Sequence, residues 1–426
     1  MSRWSSALST ILIALVATPV AASAQQQQPA VEEYAVDVGH SIIEFSIPFA
    51  FTRVKGRFTE WTGTILYDRA NPASSSVTAV IDAKSIDTGW PHRDEHLRTS
   101  DFFDVERYPK IIFQSDRLRP ASKGWIADGR LTMHGVTKNV SLPIQLAAGS
   151  PQRGPESNNL LLDAASESRI ARKDFGITGG SQYNSWFTAA RAATMGDSVS
   201  ISIEVEGWLP DLVSQRSPGV GVNVSRLKEV GVQAYVDRLR QARDSAQRGR
   251  TMAGTPGPAW SAYYTGQELT ARALVYDGRT ADALALSDAM TSLFDNWRSH
   301  VLRGYVLALS GNDRDANTAF ARAKALYKPP PPSNERFKQV DDDWWQENQL
   351  AVSALEAGQR KGALAVARLL AEIYPTWSRA FVTLGRALAT SGDLRGADQA
   401  LATALRLDPY ETRAIEWSRR LKVTRE

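Results

Sequence analysis

The chain has 426 residues, 43% of them hydrophobic and 23% charged, with 50 Lys and Arg against 46 Asp and Glu for a formal net charge of +4, and it has no cysteine. The composition is that of soluble globular protein, and the length allows two or three domains. So small a charge on so long a chain excludes a broad nucleic-acid footprint. The lack of thiols excludes disulfides, thiolate metal sites and cysteine nucleophiles.

The chain begins MSRWSSALSTILIALVATPVAASA, with Arg3 ahead of an apolar run from Ile11 to Val20 and a close on Ala22-Ser23-Ala24. A basic start, a short apolar core and a small-x-small ending form the pattern of a cleavable secretory signal. The apolar run is too short to span a bilayer. Residues 1–24 are therefore expected to be removed after Ala24, which places the mature chain in the periplasm or outside the cell.

Residues 31–212 have the period of strands. HSIIEFSIPF puts Ile43, Phe45, Ile47 and Phe49 on one face, and WTGTILYD does the same with Trp61, Gly63, Ile65 and Tyr67. SVTAVIDAKSI carries Val77, Ala79 and Ile81, KIIFQS carries Ile111 and Phe113, and NVSLPIQL carries Val140, Leu142 and Ile144. VSISIEVEGW ends the series with Val199, Ile201, Ile203 and Val205. The turn-rich stretches DRANPASSS, ADGR and GSPQRGPESNN separate them. Many alternating strands with one apolar face predict a closed barrel or a sandwich.

VSQRSPGVGVN has the composition of a linker, expected over 213–224. Residues 225–259 are expected to hold a leading helix, capped by Ser225, and a loop. From 260 to 420 the period is helical and the chain repeats itself. LVYDGRTADAL, LALSGNDRDAN, SALEAGQRKGAL and LATSGDLRGAD share one pattern, and their glycines, Gly278, Gly311, Gly358 and Gly392, stand 33, 47 and 34 residues apart. The long interval contains the insertion KPPPPSNERFKQV. In the last unit Phe381, Leu384, Gly385, Leu388, Ala397, Leu401, Ala404 and Pro409 fall on tetratricopeptide offsets. The Leu-Gly positions of the earlier units hold Thr270-Ala271, Arg303-Gly304 and Leu350-Ala351. This half is similar to a tetratricopeptide-repeat domain, which implies an all-α solenoid with a surface for docking a protein.

The β half resembles the YceI-like family over about 34–208. The resemblance rests on Asp37 with His40-Ser41, Gly56-x-Phe58, Ser85-Ile86-Asp87-Thr88, Arg93-Asp94 with His96-Leu97, Asp101-Phe102-Phe103-Asp104, Tyr108-Pro109, Gly129-x-Leu131-Thr132-x-His134-Gly135-Val136-Thr137-Lys138, and Arg172-x-Asp174-Phe175-Gly176. It implies a lipocalin-like antiparallel barrel of about eight strands that binds a polyisoprenoid lipid and does no chemistry. The expected lining is Phe45, Ile47, Phe49, Phe58, Trp61, Ile65, Val80 or Ile81, Phe113, Leu131, Val140, Leu142, Ile201 and Ile203. Arg53, Lys55, Arg57, Lys138, Arg172 and Lys173 are the cations expected for an anionic head group. A transient membrane contact goes with such a ligand. No cofactor, metal or nucleic acid is expected. A scaffold in which the barrel is structural and the repeats bind a protein partner is the alternative.

One motif points elsewhere. His92-Arg93-Asp94-Glu95-His96 is a literal H-x-x-E-H, the order of the inverted zinc peptidases. That site needs a long helix and a third ligand from another element. Pro91 before the motif and RTSDFFD after it allow about two helical turns, so the expected role is structural, with Leu97, Phe102 and Phe103 covering one side of the barrel. A zinc hydrolase at His92, Glu95 and His96 is the remote alternative. No G-x-S-x-G elbow and no phosphate-binding loop is present.

Overall fold

The structure, a computed structural model, describes residues 31–37, 39–49, 51–147, 151–153, 160–179, 195–209, 218–248, 258–328 and 339–425. The expected signal, residues 1–24, lies outside the described residues, as do 213–217 of the expected linker.

The N-terminal half is one antiparallel sheet. Its strands are β1 (Glu32–Val36), β2 (Ile42–Phe49), β3 (Thr52–Phe58), β4 (Trp61–Tyr67), β5 (Ser76–Asp82), β6 (Ile86–Asp87), β7 (Lys110–Pro120), β8 (Trp125–Met133), β9 (Val136–Leu146), β10 (Gln152–Arg153), β11 (Leu160–Ala171) and β12 (Ser198–Leu209), with one helix, α1 (Pro91–Arg98). The order is β10-β11-β9-β8-β7-β5-β4-β1-β12-β2-β3-β6, and β11 also pairs with β12. The succession from β11 through β9, β8, β7, β5, β4 and β1 to β12 thus returns to its start, a ring of eight strands. Strand β12 pairs with β11 along its whole length on one side and with β1 and then β2 on the other.

Local chemistry sets the corners. His134 and Gly135 both have positive φ, 52° and 74°, and join β8 to β9 with Met133 opposite Val136, the two-residue hairpin geometry that matches strand twist. ADGR, expected as a turn, lies inside β8 instead. Its Gly129 sits beside an irregularity of register between Ser115 and Arg117 of β7, and a Cβ there would come within 2.4 Å of the Gln114 carbonyl oxygen. That glycine serves close backbone approach, not a reversal. The true reversal is at Gly124, with φ 75°.

The C-terminal half is all helical: α2 (Pro218–Val230), α3 (Val232–Arg248), α4 (Pro258–Tyr276), α5 (Thr280–Leu293), α6 (Trp297–Leu309), α7 (Asp313–Leu326), α8 (Gln339–Glu356), α9 (Arg360–Ile373), α10 (Ser378–Thr390), α11 (Leu394–Leu407) and α12 (Thr412–Arg425). Helix α2 starts inside the expected linker and carries Ser225 in its interior, so Ser225 is not a cap. The expected single leading helix breaks at Gly231, where φ is 82°.

From α4 on, helices pair across three-residue turns. In all four turns the glycine is left-handed, with φ between 73° and 90°. Each glycine N–H donates to the carbonyl three residues back, and the next N–H donates five back, as in Gly278 to Val275 and Arg279 to Leu274, or Gly392 to Ala389 and Asp393 to Leu388. This double capping closes the last carbonyls of a helix and requires a residue that tolerates positive φ. Small residues bring the paired helices together. Ala271 and Ala351 are fully buried, and a Cβ on Gly304 or Gly385 would press within 2.6 Å of Phe320 or 2.7 Å of Leu401.

The two halves meet through α12, which packs on β4 and β5. Glu416, 1% exposed, accepts from Ser76 Oγ at 2.5 Å, Thr78 Oγ1 at 2.6 Å and Arg419 Nη2 at 2.9 Å. Thr64 Oγ1 and Thr412 Oγ1 share a hydrogen bond of 2.7 Å, and Arg419 also donates to the Ser115 carbonyl. Glu33 of β1 accepts from Arg413 Nε at 2.8 Å and Trp417 Nε1 at 2.6 Å, with Arg386 Nη1 at 3.2 Å. Burial by itself raises the Glu33 carboxyl pKa, but the two guanidiniums and the hydrogen bonds outweigh it and hold the group below its ordinary value of 4.5. The outward Thr64, Ser76 and Thr78 bond to this helix, whereas the outward Leu66 and Val80 are apolar and buried.

Candidate functional site

The inner faces of the barrel strands enclose a cavity of about 1040 Å³, at the upper end of the range for small-molecule pockets. All twelve apolar positions singled out in the strands and hairpins are on its wall: Phe45, Ile47, Phe49, Phe58, Trp61, Ile65, Phe113, Leu131, Val140, Leu142, Ile201 and Ile203. At the ambiguous pair in β5, Ile81 faces the cavity and Val80 does not. Period-two alternation is enough to explain this, since one inward residue fixes every second neighbour. Small side chains leave the space open: Gly63, Ala79, Ala164 and Ser166 are also on the wall.

Helix α1 and the segment after it pack across one end. Phe102, Val105, Phe175 and Ile177 join Ile43, Phe58, Trp61 and Ile86 in a core there, with Leu97 and Phe103 packed against it. The turn that leads into α1 is held by its own motif. Buried Asp94 accepts from the backbone N–H of Thr88 at 3.0 Å and from its hydroxyl. Arg93 donates to Thr88 Oγ1 at 2.7 Å and to the Thr88 carbonyl at 2.8 Å. Thr52, Arg53, Lys55, Trp90 and His92 border the cavity and are exposed to solvent, so the cavity opens between the β2–β3 hairpin and the start of α1. No wall residue toward the far end, around Pro72, Leu118, Trp125 and Leu146, is exposed.

The expected head-group cations separate. Arg172 is on the wall and Arg53 and Lys55 border the mouth from the outer side of β3, whereas Arg57, Lys138 and Lys173 do not border the cavity. Arg57 is tied to Asp87 at 3.3 Å on the outer surface, and Lys138 is exposed. Arg172 is 6% exposed and donates to the carbonyls of Gly196 at 3.1 Å, Ile177 at 2.7 Å and Thr178. Its guanidinium braces the chain beside the mouth, and these bonds use three of its five N–H donors.

Among the described residues, the H-x-x-E-H segment brings no group of three ligand atoms within reach of one ion. It makes an eight-residue helix, and His96 Nε2 is 3.1 Å from Asp101 Oδ2. His92 stacks edge-on with Trp90 at the mouth. Among the described residues, the one group of ligand atoms close enough for a metal ion is elsewhere, at Asp37, His40 and Glu206. There His40 Nδ1 lies 3.0 Å from Asp37 and 3.6 Å from Glu206. The other motif histidine, His134, uses Nδ1 on the Phe175 carbonyl at 3.0 Å.

Several wall residues escape the strand pattern. Strand β11 supplies Leu162, Ala164, Ser166 and Ile170, but LLLDAASESRIA lacks strong alternation because its inward positions are small. The Ser166 hydroxyl is buried and has no hydrogen-bond partner among the described residues. Trp90, His92 and Arg93 belong to a motif whose spacing says nothing about where the barrel opens.

With this geometry in view, comparison with known proteins is specific. The YceI-like domain family matches residues 34–207. A UPF0312 protein of Yersinia enterocolitica is 34% identical over 155 residues, which cover 34% of this chain and 76% of that protein. The chain belongs to the YceI-like family. Among solved structures, BcnA of Burkholderia cenocepacia is 22% identical with a TM-score of 0.35, covering 40% of this chain and 98% of that one. A polyisoprenoid binding domain from Saccharophagus degradans, implicated in plant cell wall breakdown, is 16% identical with a TM-score of 0.31, covering 42% and 98%. The YceI-like domain accounts for the barrel, and the helical half lies outside the matched residues.

Proposed function

We propose that the barrel holds an amphiphilic isoprenoid-type lipid and that the helical half is a tetratricopeptide-type array for docking a protein. The observation that carries this reading is the cavity of about 1040 Å³ with an apolar wall and one polar mouth. Burying hydrocarbon is worth about 0.8 kcal/mol per methylene, so one isoprene unit offers roughly 3 kcal/mol. Association and chain ordering take back several kcal/mol. A few buried units then suffice for useful affinity without covalent chemistry, which is why we read the chain as a binder and not an enzyme. The repeated glycine turns and the small residues between paired helices support the array. The N-terminal signal pattern supports a periplasmic or secreted location.

Native mass spectrometry of the full chain, purified without detergent, tests the barrel reading. A co-purified lipid in the mass range of isoprenoids is the expected result. Its loss on Ala79→Trp, which fills the cavity from β5, ties the lipid to this space. Protein that is free of lipid and takes up none when offered isoprenoid alcohols or phosphates sinks the reading.

A further inference from the structure

We propose that the cavity mouth seats on an anionic lipid surface, with Phe51 and Trp90 entering the interfacial layer and Arg53 and Lys55 facing the head groups. The purpose of this contact rests on the lipid-binding reading above, but its geometry does not. Phe51 at the tip of the β2–β3 hairpin is 105% exposed and Trp90 is 56% exposed, the two most exposed large hydrophobic residues described. Single exposed apolar residues are common. These two flank one opening: Trp90 is on the cavity wall, and Phe51 lies between the wall residues Phe49 and Thr52. Phe and Trp with one face toward water are suited to the depth of lipid head groups.

Basic side chains outnumber acidic ones around them, with Arg53, Lys55 and Arg93 against the exposed Glu44 and Glu95. By strand alternation Arg53 and Lys55 point to the outer side of β3, opposite the inward Val54. Arg53 donates to the hydroxyls of Ser46 and Ser200 and to the Ser46 carbonyl, and among the described residues neither Arg53 nor Lys55 is in an ion pair with a carboxylate. Arg57, paired with Asp87, adds no net charge. Two such cations beside two exposed aromatics complement an anionic bilayer, and each cation near such a surface raises affinity about fivefold. Among the described residues, no contact between the two halves covers the opening. Among those residues, the polar contacts between the halves fall on β1, β4, β5, β7 and Asp68 after β4, which faces Arg420 at 3.8 Å, leaving the β2–β3 hairpin and α1 outside. A hydrocarbon ligand could then pass between bilayer and cavity without crossing water, where exposing its chain is unfavourable.

The test is co-sedimentation of the full chain with phosphatidylcholine vesicles, with and without phosphatidylglycerol. The full chain is expected to bind the anionic vesicles at low salt and to bind neutral ones about tenfold less. Phe51→Ser with Trp90→Ser should weaken binding by about tenfold or more without lowering the thermal midpoint. Phe51→Ser alone, at a fully exposed position, should give part of the loss with no risk to folding. Lys55→Gln should cost about fivefold and flatten the salt dependence. Failure of the full chain to sediment with anionic vesicles, or a double aromatic variant that binds like the parent, overturns the proposal. Native mass spectrometry of the same samples keeps the two readings apart. Lipid-free protein that still binds vesicles through Phe51 and Trp90 supports this surface and counts against the cavity ligand alone.

Discussion

Removal of the Glu416 carboxylate is the sharpest test of how the two halves are joined. Its three hydrogen bonds, from Ser76, Thr78 and Arg419, are made at a side chain that is 1% exposed. A hydrogen bond to a charged group contributes about 1.5–3 kcal/mol, and these are not additive because they share one acceptor. Glu416→Ala also leaves two hydroxyls and a guanidinium without an acceptor in a buried interface, and breaking a buried ionic contact costs about 3–5 kcal/mol. The expected loss is about 3 kcal/mol. Urea unfolding followed by circular dichroism should show an earlier midpoint for the variant. Hydrogen exchange at the amides of β5 should quicken, because α12 no longer covers it. Replacing the partners together, Glu416→Leu with Ser76→Ala and Thr78→Val, should recover much of the loss, since an apolar set leaves fewer orphaned groups. A Glu416→Ala midpoint within about 0.5 kcal/mol of the parent would show that this network does not hold α12 to the barrel.

Three further outcomes follow from the same structure. The Glu33 carboxyl, held below its ordinary value of 4.5, binds its proton more readily when the chain is unfolded. Its contribution is therefore complete above about pH 4.5 and is lost as the pH falls through its folded value. Thermal midpoints measured from pH 7 to pH 3 should fall less steeply in Glu33→Gln than in the parent, and parallel curves would refute the assignment. Gly129→Ala should cost at least about 2 kcal/mol, since the new Cβ meets the Gln114 carbonyl oxygen at 2.4 Å and backbone must move; an unchanged denaturation curve contradicts this. Ser166→Ala removes a buried hydroxyl that has no partner among the described residues and should stabilise the ligand-free protein by roughly 1 kcal/mol. A lower midpoint for that variant would mean that the hydroxyl is satisfied by a bound group.

The wall of the barrel was legible in the sequence because alternation transmits one residue's facing along the whole strand. Ten of the twelve apolar positions from Phe45 to Ile203 needed only that rule, Phe58 and Leu131 came with the family resemblance, and the strand order brought them all round one interior. Where alternation is weak the reading failed. Strand β11 is masked by its small inward residues, and ADGR imitates a turn because a glycine required for close strand approach looks like one required for a reversal. The H-x-x-E-H segment shows a different limit. Its spacing is correct for two ligands on one helix, but what decides the matter is the helix length and where the third group lies, and those depend on the packing of α1 against the barrel.

The sequence by itself determined the two periods, the inward face of most strands and the glycine at each helical turn. These are local properties, set by backbone geometry and by which side chains tolerate it. Only the tertiary structure decided that the barrel interior is open, that its mouth lies between the β2–β3 hairpin and α1, and that Thr64, Ser76 and Thr78 face a buried helix and not water. Those features arise where residues far apart in the chain meet. Thr64 and Thr412 share a hydrogen bond across 348 positions, and no periodicity within either half records that encounter.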